Sequence, residues 1–287
     1  MLEAAITAAR SDGRPAIAAF LTSGYPSPGA FPQLLAAVSQ AATIVEVGIP
    51  FSDPMADGVT IQQSSRHALE CGVTLAMTLG WVEEVQPAAP VVLMSYLNPL
   101  LAYGLAPLAT DARRAGVSGV IVPDLPLEEC DPLAAALRER EIALIQLVTP
   151  ATSEARLRRL CAASGGFVYA VTITGTTGTR ANITPDRRAY LDRVRAISQL
   201  PVLAGFGVRD AEQVREIMPV VDGFVVGSAL IDALSKGEDP VSLLRELSSA
   251  VPLVLARPRN RSPRTPRFLD IPSLPAPWRS RRRNDST

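Results

Sequence analysis

Glu46-Val47-Gly48-Ile49-Pro50-Phe51-Ser52-Asp53-Pro54-Met55-Ala56-Asp57-Gly58 joins an apolar run carrying one carboxylate to a turn-rich loop carrying two more. Ile44, Val45, Val47 and Ile49 read as a strand buried on both faces, the pattern of a parallel sheet. A carboxylate inside such a strand is costly unless a site uses its charge or its proton, so packing does not explain Glu46. Ser52-Asp53-Pro54 and Asp57-Gly58 are turn chemistry, and each aspartate taken alone also fits an ordinary loop residue bonding its own backbone. Together they set a carboxylate at the end of a strand against another on the loop that follows. That is enough for a general acid and a charge-stabilising partner.

Outward from this stretch the same alternation runs through most of the chain. Short apolar runs lie at 16–21, 43–49, 91–96, 119–122, 142–148, 167–172, 202–205 and 223–226. Between and after them come segments of helical period, at 31–40, 75–85, 105–114, 131–139, 154–162, 187–198, 211–218 and 241–249. Strands that all alternate with helices need crossover connections and hence a parallel sheet, and eight such units predict a single (β/α)8 barrel over residues 1–251. Ser153, Asp210 and Asp239-Pro240 stand where helix N-caps belong. Leu2, Ala5, Ile6 and Ala9 share one face of an extra N-terminal helix that would plug the bottom of the barrel. The rival architecture, a doubly wound open sheet, needs a glycine-rich fingerprint after its first strand, and Thr22-Ser23-Gly24-Tyr25-Pro26 is not one.

Hydrophobic residues make up 47% of the 287, ample for one large core. The zero formal charge hides an asymmetry: from Pro252 onward nine arginines face two aspartates, a net +7 that leaves −7 on the rest. A mildly acidic body argues against nucleic-acid binding. Residues 252–287, rich in Pro and Arg and lacking either period, are expected to be a disordered tail, with Phe268, Leu269, Ile271 and Trp278 as the only material for a docking patch. Cys71, Cys130 and Cys161 are odd in number and widely spaced, as fits free thiols in a reducing cytoplasm. No apolar run approaches the roughly 18 residues of a membrane span, and no basic segment followed by an apolar one opens the chain. These features predict a soluble cytoplasmic protein with no membrane partner.

In such a barrel, reacting groups come from the C-terminal ends of the strands and the loops that follow. Glu46, Asp57, Tyr169 and the Gly/Thr-rich segment 174–180 satisfy that placement. Gly205-Phe206-Gly207 ends the seventh strand, and Gly227-Ser228 ends the eighth and opens a short helix. Those two loops and that helix N-terminus are where these barrels cradle phosphate, because unpaired N–H groups and the positive end of the helix dipole meet the dianion there. Gly205 and Gly207 would permit close backbone approach. The set favours a phosphorylated small molecule. His67, the only histidine, falls on a predicted outer helix, and no cluster has metal-ligand spacing, so no metal is expected. Acid–base work is left to carboxylates and tyrosine.

The motif from Glu46 to Gly58 resembles the signature of the tryptophan synthase alpha subunit family. The likeness continues through Met94-Ser95-Tyr96-Leu97-Asn98-Pro99, residues 122–129, Gly175-Thr176-Thr177-Gly178, Gly205-Phe206-Gly207 and Val226-Gly227-Ser228, spanning about residues 1 to 250 in the expected order. Val59 and Thr176 are mild departures that leave the carboxylates and glycines intact. The resemblance implies a lyase of tryptophan biosynthesis performing retro-aldol cleavage of indole-3-glycerol phosphate to indole and glyceraldehyde 3-phosphate. It implies Glu46 as proton shuttle and Asp57 as acceptor of the indole N–H. Tyr169 would bond near Glu46 or the glycerol hydroxyls, and Thr177 would hold Asp57. Phe20 and Ile61 would line the indole pocket, and Gly178, Phe206, Gly207, Gly227 and Ser228 would hold the phosphate. It also implies a partner, the pyridoxal-phosphate beta subunit of an alpha2beta2 tetramer, met by Asp53, Asn98 and Pro126, and no cofactor in the alpha subunit itself. A stand-alone lyase, an allosteric activator without catalysis, and a generic phosphate-sugar isomerase remain the rival readings.

Overall fold

The computed structural model of the chain describes residues 1–172, 184–205 and 207–250. The expected tail, 252–287, the loop segment 174–180, Thr177, Gly178 and Phe206 lie outside the described residues. The strands are β1 (Ala16–Thr22), β2 (Ile44–Gly48), β3 (Val91–Met94), β4 (Val117–Ile121), β5 (Ala143–Val148), β6 (Val168–Val171), β7 (Val202–Gly205) and β8 (Gly223–Val226). Each pairs in parallel with the next, and β1 closes on β8 to make a barrel. Helix α1 (Leu2–Ser11) precedes β1, and α2 (Phe31–Ala41) follows it. After β2 come α3 (Val59–Glu70) and α4 (Leu75–Val85), and after β3 come α5 (Leu97–Tyr103) and α6 (Leu105–Ala115). Then single helices follow: α7 (Asp131–Arg138), α8 (Glu154–Ala163), α9 (Pro185–Ile197) and α10 (Ala211–Ile217), before α11 (Ser228–Ser235) and α12 (Pro240–Ser249) close the chain's eighth unit.

The predicted caps form. Ser153 accepts the N–H of Arg156, Asp210 those of Glu212 and Gln213, and Asp239 those of Val241 and Ser242, with Pro240 at the first helical position. Each satisfies N–H groups that the first turn leaves without intrahelical partners. Helix α5 is the element the periodicity does not reveal. Asn98-Pro99 resembles a turn, yet a proline in the first turn costs no hydrogen bond, and Tyr96 caps the helix where a longer third strand was expected.

Alternate strand residues divide the core into two layers. Phe20, Ile44, Val92, Ile121, Ile145 and Leu203 fill the barrel, while Val45, Val47, Leu93 and Val120 face the helices. Helix α1 plugs the N-terminal end, as its apolar face predicts. Leu2 and Ile6 are buried among the inner residues, and Leu2 lies so close to Gly119 and Gly166 that a Cβ on either would sit 2.9 and 2.8 Å from its Cδ1. Burying two such side chains contributes roughly 1.5–3 kcal/mol each. Arg10 secures the plug by donating to the carbonyls of Val221 and Asp222 at 3.2 Å each and pairing with the Asp222 carboxylate at 3.6 Å. With the bottom sealed, the C-terminal end is the open one.

Candidate active site

Register puts Glu46 opposite Phe20 on β1 and Val92 on β3, both members of the inner layer, so its carboxyl projects into the barrel. It is 1% exposed, and neither carboxyl oxygen has a hydrogen-bond partner among the described residues. A buried, unpaired carboxyl in a packed interior is destabilising unless it is neutral. Burial, followed by the facing charge of Asp57, accordingly pushes its pKa up to about 8.

Asp57 reaches the same space from the loop after β2. Burial raises it to about 6, against the hydrogen bond from Tyr96, which lowers it. Between those values one carboxyl of the pair is protonated and the other charged, and their environments assign the proton to Glu46.

Both carboxyls line a cavity of about 570 Å³ at the C-terminal end of the barrel. Phe20, Ile61, Tyr169, Gly207, Gly227 and Ser228 line it too. Pro126, expected at a partner surface, also lines it, whereas Asp53, on the loop after β2, and Asn98, in the first turn of α5, are exposed and do not. Gly227 caps α11, whose first turn offers unpaired N–H groups, and Ser228 is buried beside it. His67 lies outside on α3, its ring against the Pro26 carbonyl at 3.0 Å. Among the described residues no cluster of His, Cys, Asp and Glu is placed to hold a metal ion, and no helix is long and apolar enough to cross a membrane.

One of the two partners expected for Tyr169 is closed to it, and one glycine is corrected. Tyr169 makes no hydrogen bond to Glu46 among the described residues, although burial and then the two nearby carboxylates hold its hydroxyl well above the usual phenol range. Gly205 does not make room for a ligand: the Tyr169 ring occupies that space, and a Cβ would lie 2.5 Å from its Cε1. Gly205→Ala is therefore expected to force this ring into the cavity or off its rotamer, at a cost of about 1–3 kcal/mol. A thermal melt with no drop would show that the ring has other room.

Tyr96, within the Met94–Pro99 motif, is a site residue that the motif alone does not reveal. Its hydroxyl accepts the Ala56 N–H at 2.8 Å and donates to Asp57 Oδ2 at 3.1 Å, while its ring stacks on Phe51 at 5.2 Å between centroids. Because an ionised carboxylate can only accept, the hydroxyl proton is aimed at it. A tyrosine just past the third strand, forty residues from the loop it holds, leaves no local signal. Gly48 was similarly silent: it makes room for Phe20, whose Cζ would lie 2.5 Å from a Cβ there.

Comparison with known proteins agrees with this geometry. The family model for the tryptophan synthase alpha chain matches residues 6–252. The chain is 46% identical over 234 residues to the tryptophan synthase alpha chain of Acidiphilium cryptum, covering 80% of this chain and 85% of that one. It is 44% identical over 242 residues to that of Desulfovibrio desulfuricans, covering 83% and 95%. Among solved structures, Mycobacterium tuberculosis tryptophan synthase superposes with a TM-score of 0.82 at 38% identity, covering 87% of this chain and 97% of that one. The alpha chain from Legionella pneumophila gives 0.77 at 30% identity, covering 87% and 96%. With the matched model spanning the whole barrel, the chain belongs to the tryptophan synthase alpha chain family.

Proposed function

We propose that the chain cleaves indole-3-glycerol phosphate to indole and glyceraldehyde 3-phosphate, with Glu46 as the proton shuttle and Asp57 as the charge-stabilising partner. The observation that carries this reading is the unpaired, proton-retaining Glu46 carboxyl facing Asp57 inside one cavity. Glu46 begins protonated and gives its proton to indole C3, which places positive charge on the ring nitrogen. Asp57, anionic, accepts the indole N–H and offsets that charge. The Glu46 carboxylate then takes the proton of the glycerol hydroxyl. The carbonyl forms, the C–C bond breaks, and its electron pair restores the aromatic ring. One carboxyl is thus acid and then base, and the chemistry calls for no cofactor in this subunit.

Phe20 and Ile61 suit the flat apolar ring, while Gly207, Gly227, Ser228 and the start of α11 suit the phosphate. By the family resemblance Gly178 and Phe206 join the phosphate side, and Thr177 holds Asp57 from the sixth loop. Tyr169, relieved of Glu46, serves the glycerol hydroxyls. The beta chain is the partner implied by the family. We assign the contact in an alpha2beta2 assembly to Asp53, Asn98 and Pro126, all exposed, beside Met55, Val59 and Leu101, which are 82%, 58% and 53% exposed. Residues 1–251 form the catalytic unit. A cytoplasmic setting fits the free cysteines, of which Cys71 is exposed.

The test is release of indole from indole-3-glycerol phosphate by the purified chain, alone and with a beta chain. Cleavage that the beta chain accelerates is expected; cleavage indifferent to it points to a stand-alone lyase, and none in either case overturns the reading. A pH series refines it. With Glu46 needed protonated and Asp57 needed charged, kcat/KM should be bell-shaped, with limbs near 6 and 8 set by the pair. Tyr96→Phe keeps the ring but removes the donor that favours the Asp57 anion. The acid limb should then move about one pH unit higher, as expected for a hydrogen bond to a charged group. An unmoved acid limb would mean that the Tyr96 bond does not act on the catalytic form of Asp57.

A further inference from the structure

Asp232 joins three segments that no short-range motif connects. It lies on α11 one helical turn beyond Ser228 and therefore on the same face as the helix start. Its Oδ1 accepts the Thr60 hydroxyl at 3.1 Å, and its Oδ2 pairs with the Arg209 guanidinium at 2.7 Å. Thr60 stands between Asp57 and Ile61 at the start of α3. Arg209 lies two residues beyond Gly207, and its own N–H is held by Gln213 Oε1 at 2.8 Å. Both charged side chains are 28% exposed, so the pair is only partly screened by water.

The same three segments carry the two ends of the proposed site. Asp57 and Ile61 meet the indole end, and Gly207 together with Gly227 and Ser228 meets the phosphate. The starts of α3 and α11 also lie close together: a Cβ placed on Gly227 would be 3.7 Å from Ile61 Cδ1. Gly207, with φ +65°, has no side chain of its own to fix it, and Arg209, just past the buried Val208, is the charged anchor nearest to it. We propose that Asp232 is a positioning residue that sets the separation between the phosphate cradle and the indole pocket, through Arg209 on one side and Thr60 on the other. This rests on the phosphate and indole assignments made above.

The pair also allows a purely electrostatic role, and the two roles predict opposite signs. If Asp232 and Arg209 acted only as charges near the phosphate, removing the anion would tighten substrate binding and removing the cation would weaken it. If they position the cradle, either loss weakens it, and losing both is no worse than losing one.

The experiment measures KM and kcat for indole-3-glycerol phosphate, and the inhibition constant of glycerol 3-phosphate, for the full-length chain and its Asp232→Asn, Arg209→Met and doubly substituted variants. Each single change should raise KM and the inhibition constant by about three- to fivefold, the scale of a partly exposed pair, with kcat within about twofold and the double variant matching the singles. Thr60→Val, which keeps the shape and removes the hydroxyl, should raise KM in the same direction. Tighter binding by Asp232→Asn, an additive double variant, or an unmoved KM with only a lower melting temperature would each overturn the proposal. Gly227→Asp is the control for the underlying reading, since it sets a carboxylate at the phosphate. If it leaves glycerol 3-phosphate inhibition intact, the phosphate assignment fails and this inference with it; if it abolishes inhibition while the Asp232 variants do nothing, only the inference fails.

Discussion

Glu46→Gln is expected to lower kcat for indole-3-glycerol phosphate by at least about a hundredfold, the usual scale for a missing acid–base group, while glycerol 3-phosphate still binds. The amide fills nearly the same space between Phe20 and Val92 but carries no transferable proton. Loss of kcat with ligand binding kept separates chemistry from misfolding. Turnover near that of the unsubstituted chain would remove Glu46 from the mechanism.

The same substitution should stabilise the fold, and the pH dependence has a definite sign. Burial lifts the Glu46 pKa to about 8 from the ordinary glutamate value of 4.5, so the folded state holds its proton more tightly than the unfolded chain does. Stability relative to the Gln variant is therefore unaffected below about 4.5. It declines as pH rises from there and levels off above about 8. The melting temperature of Glu46→Gln should exceed that of the parent by a margin that widens across this window. A margin independent of pH would mean that the carboxyl is not held neutral by burial. A carboxyl that the fold would rather lose is what a site retains for chemistry.

The sequence made the barrel legible because a buried parallel strand and an amphipathic helix have different periods, and eight alternations leave few topologies. Glu46 stood out for the same reason: a charge in a two-sided apolar strand contradicts its own surroundings. Tyr96, Gly48 and Asp232 were not legible in this way. Each acts on a segment far away in sequence, on Asp57, on Phe20, and on Thr60 with Arg209, and a contact between segments so separated along the chain leaves no trace in local composition. Gly205 was misread because a glycine after a strand signals an absent side chain without saying what fills the space. Here it is the Tyr169 ring.

Asp57→Asn is expected to cost cleavage about as much as Glu46→Gln, for a different reason. The amide still offers an oxygen to the indole N–H, so substrate binding should be little changed. What it cannot do is offset the positive charge that appears on the ring nitrogen when C3 is protonated. That stabilisation exists only in the charged intermediate and the transition states around it, so its loss should appear in kcat, at about a hundredfold or more, with KM nearly constant. Tyr96 sharpens the expectation. Its hydroxyl accepts the Ala56 N–H and gives its proton to the oxygen at the Oδ2 position. In the variant that position takes either the amide oxygen, leaving the NH2 to face the indole N–H, or the NH2, leaving the Tyr96 proton without an acceptor. The first arrangement sets donor against donor at the substrate and is disfavoured once substrate is bound; the second keeps the amide oxygen on the indole N–H, and with it KM, while disrupting the support beneath the group. The acid limb of the pH profile should also vanish, since no group remains to titrate near 6. An unchanged kcat, or an acid limb that persists in the Asn variant, would return Asp57 to the turn residues and assign the limb to another carboxyl.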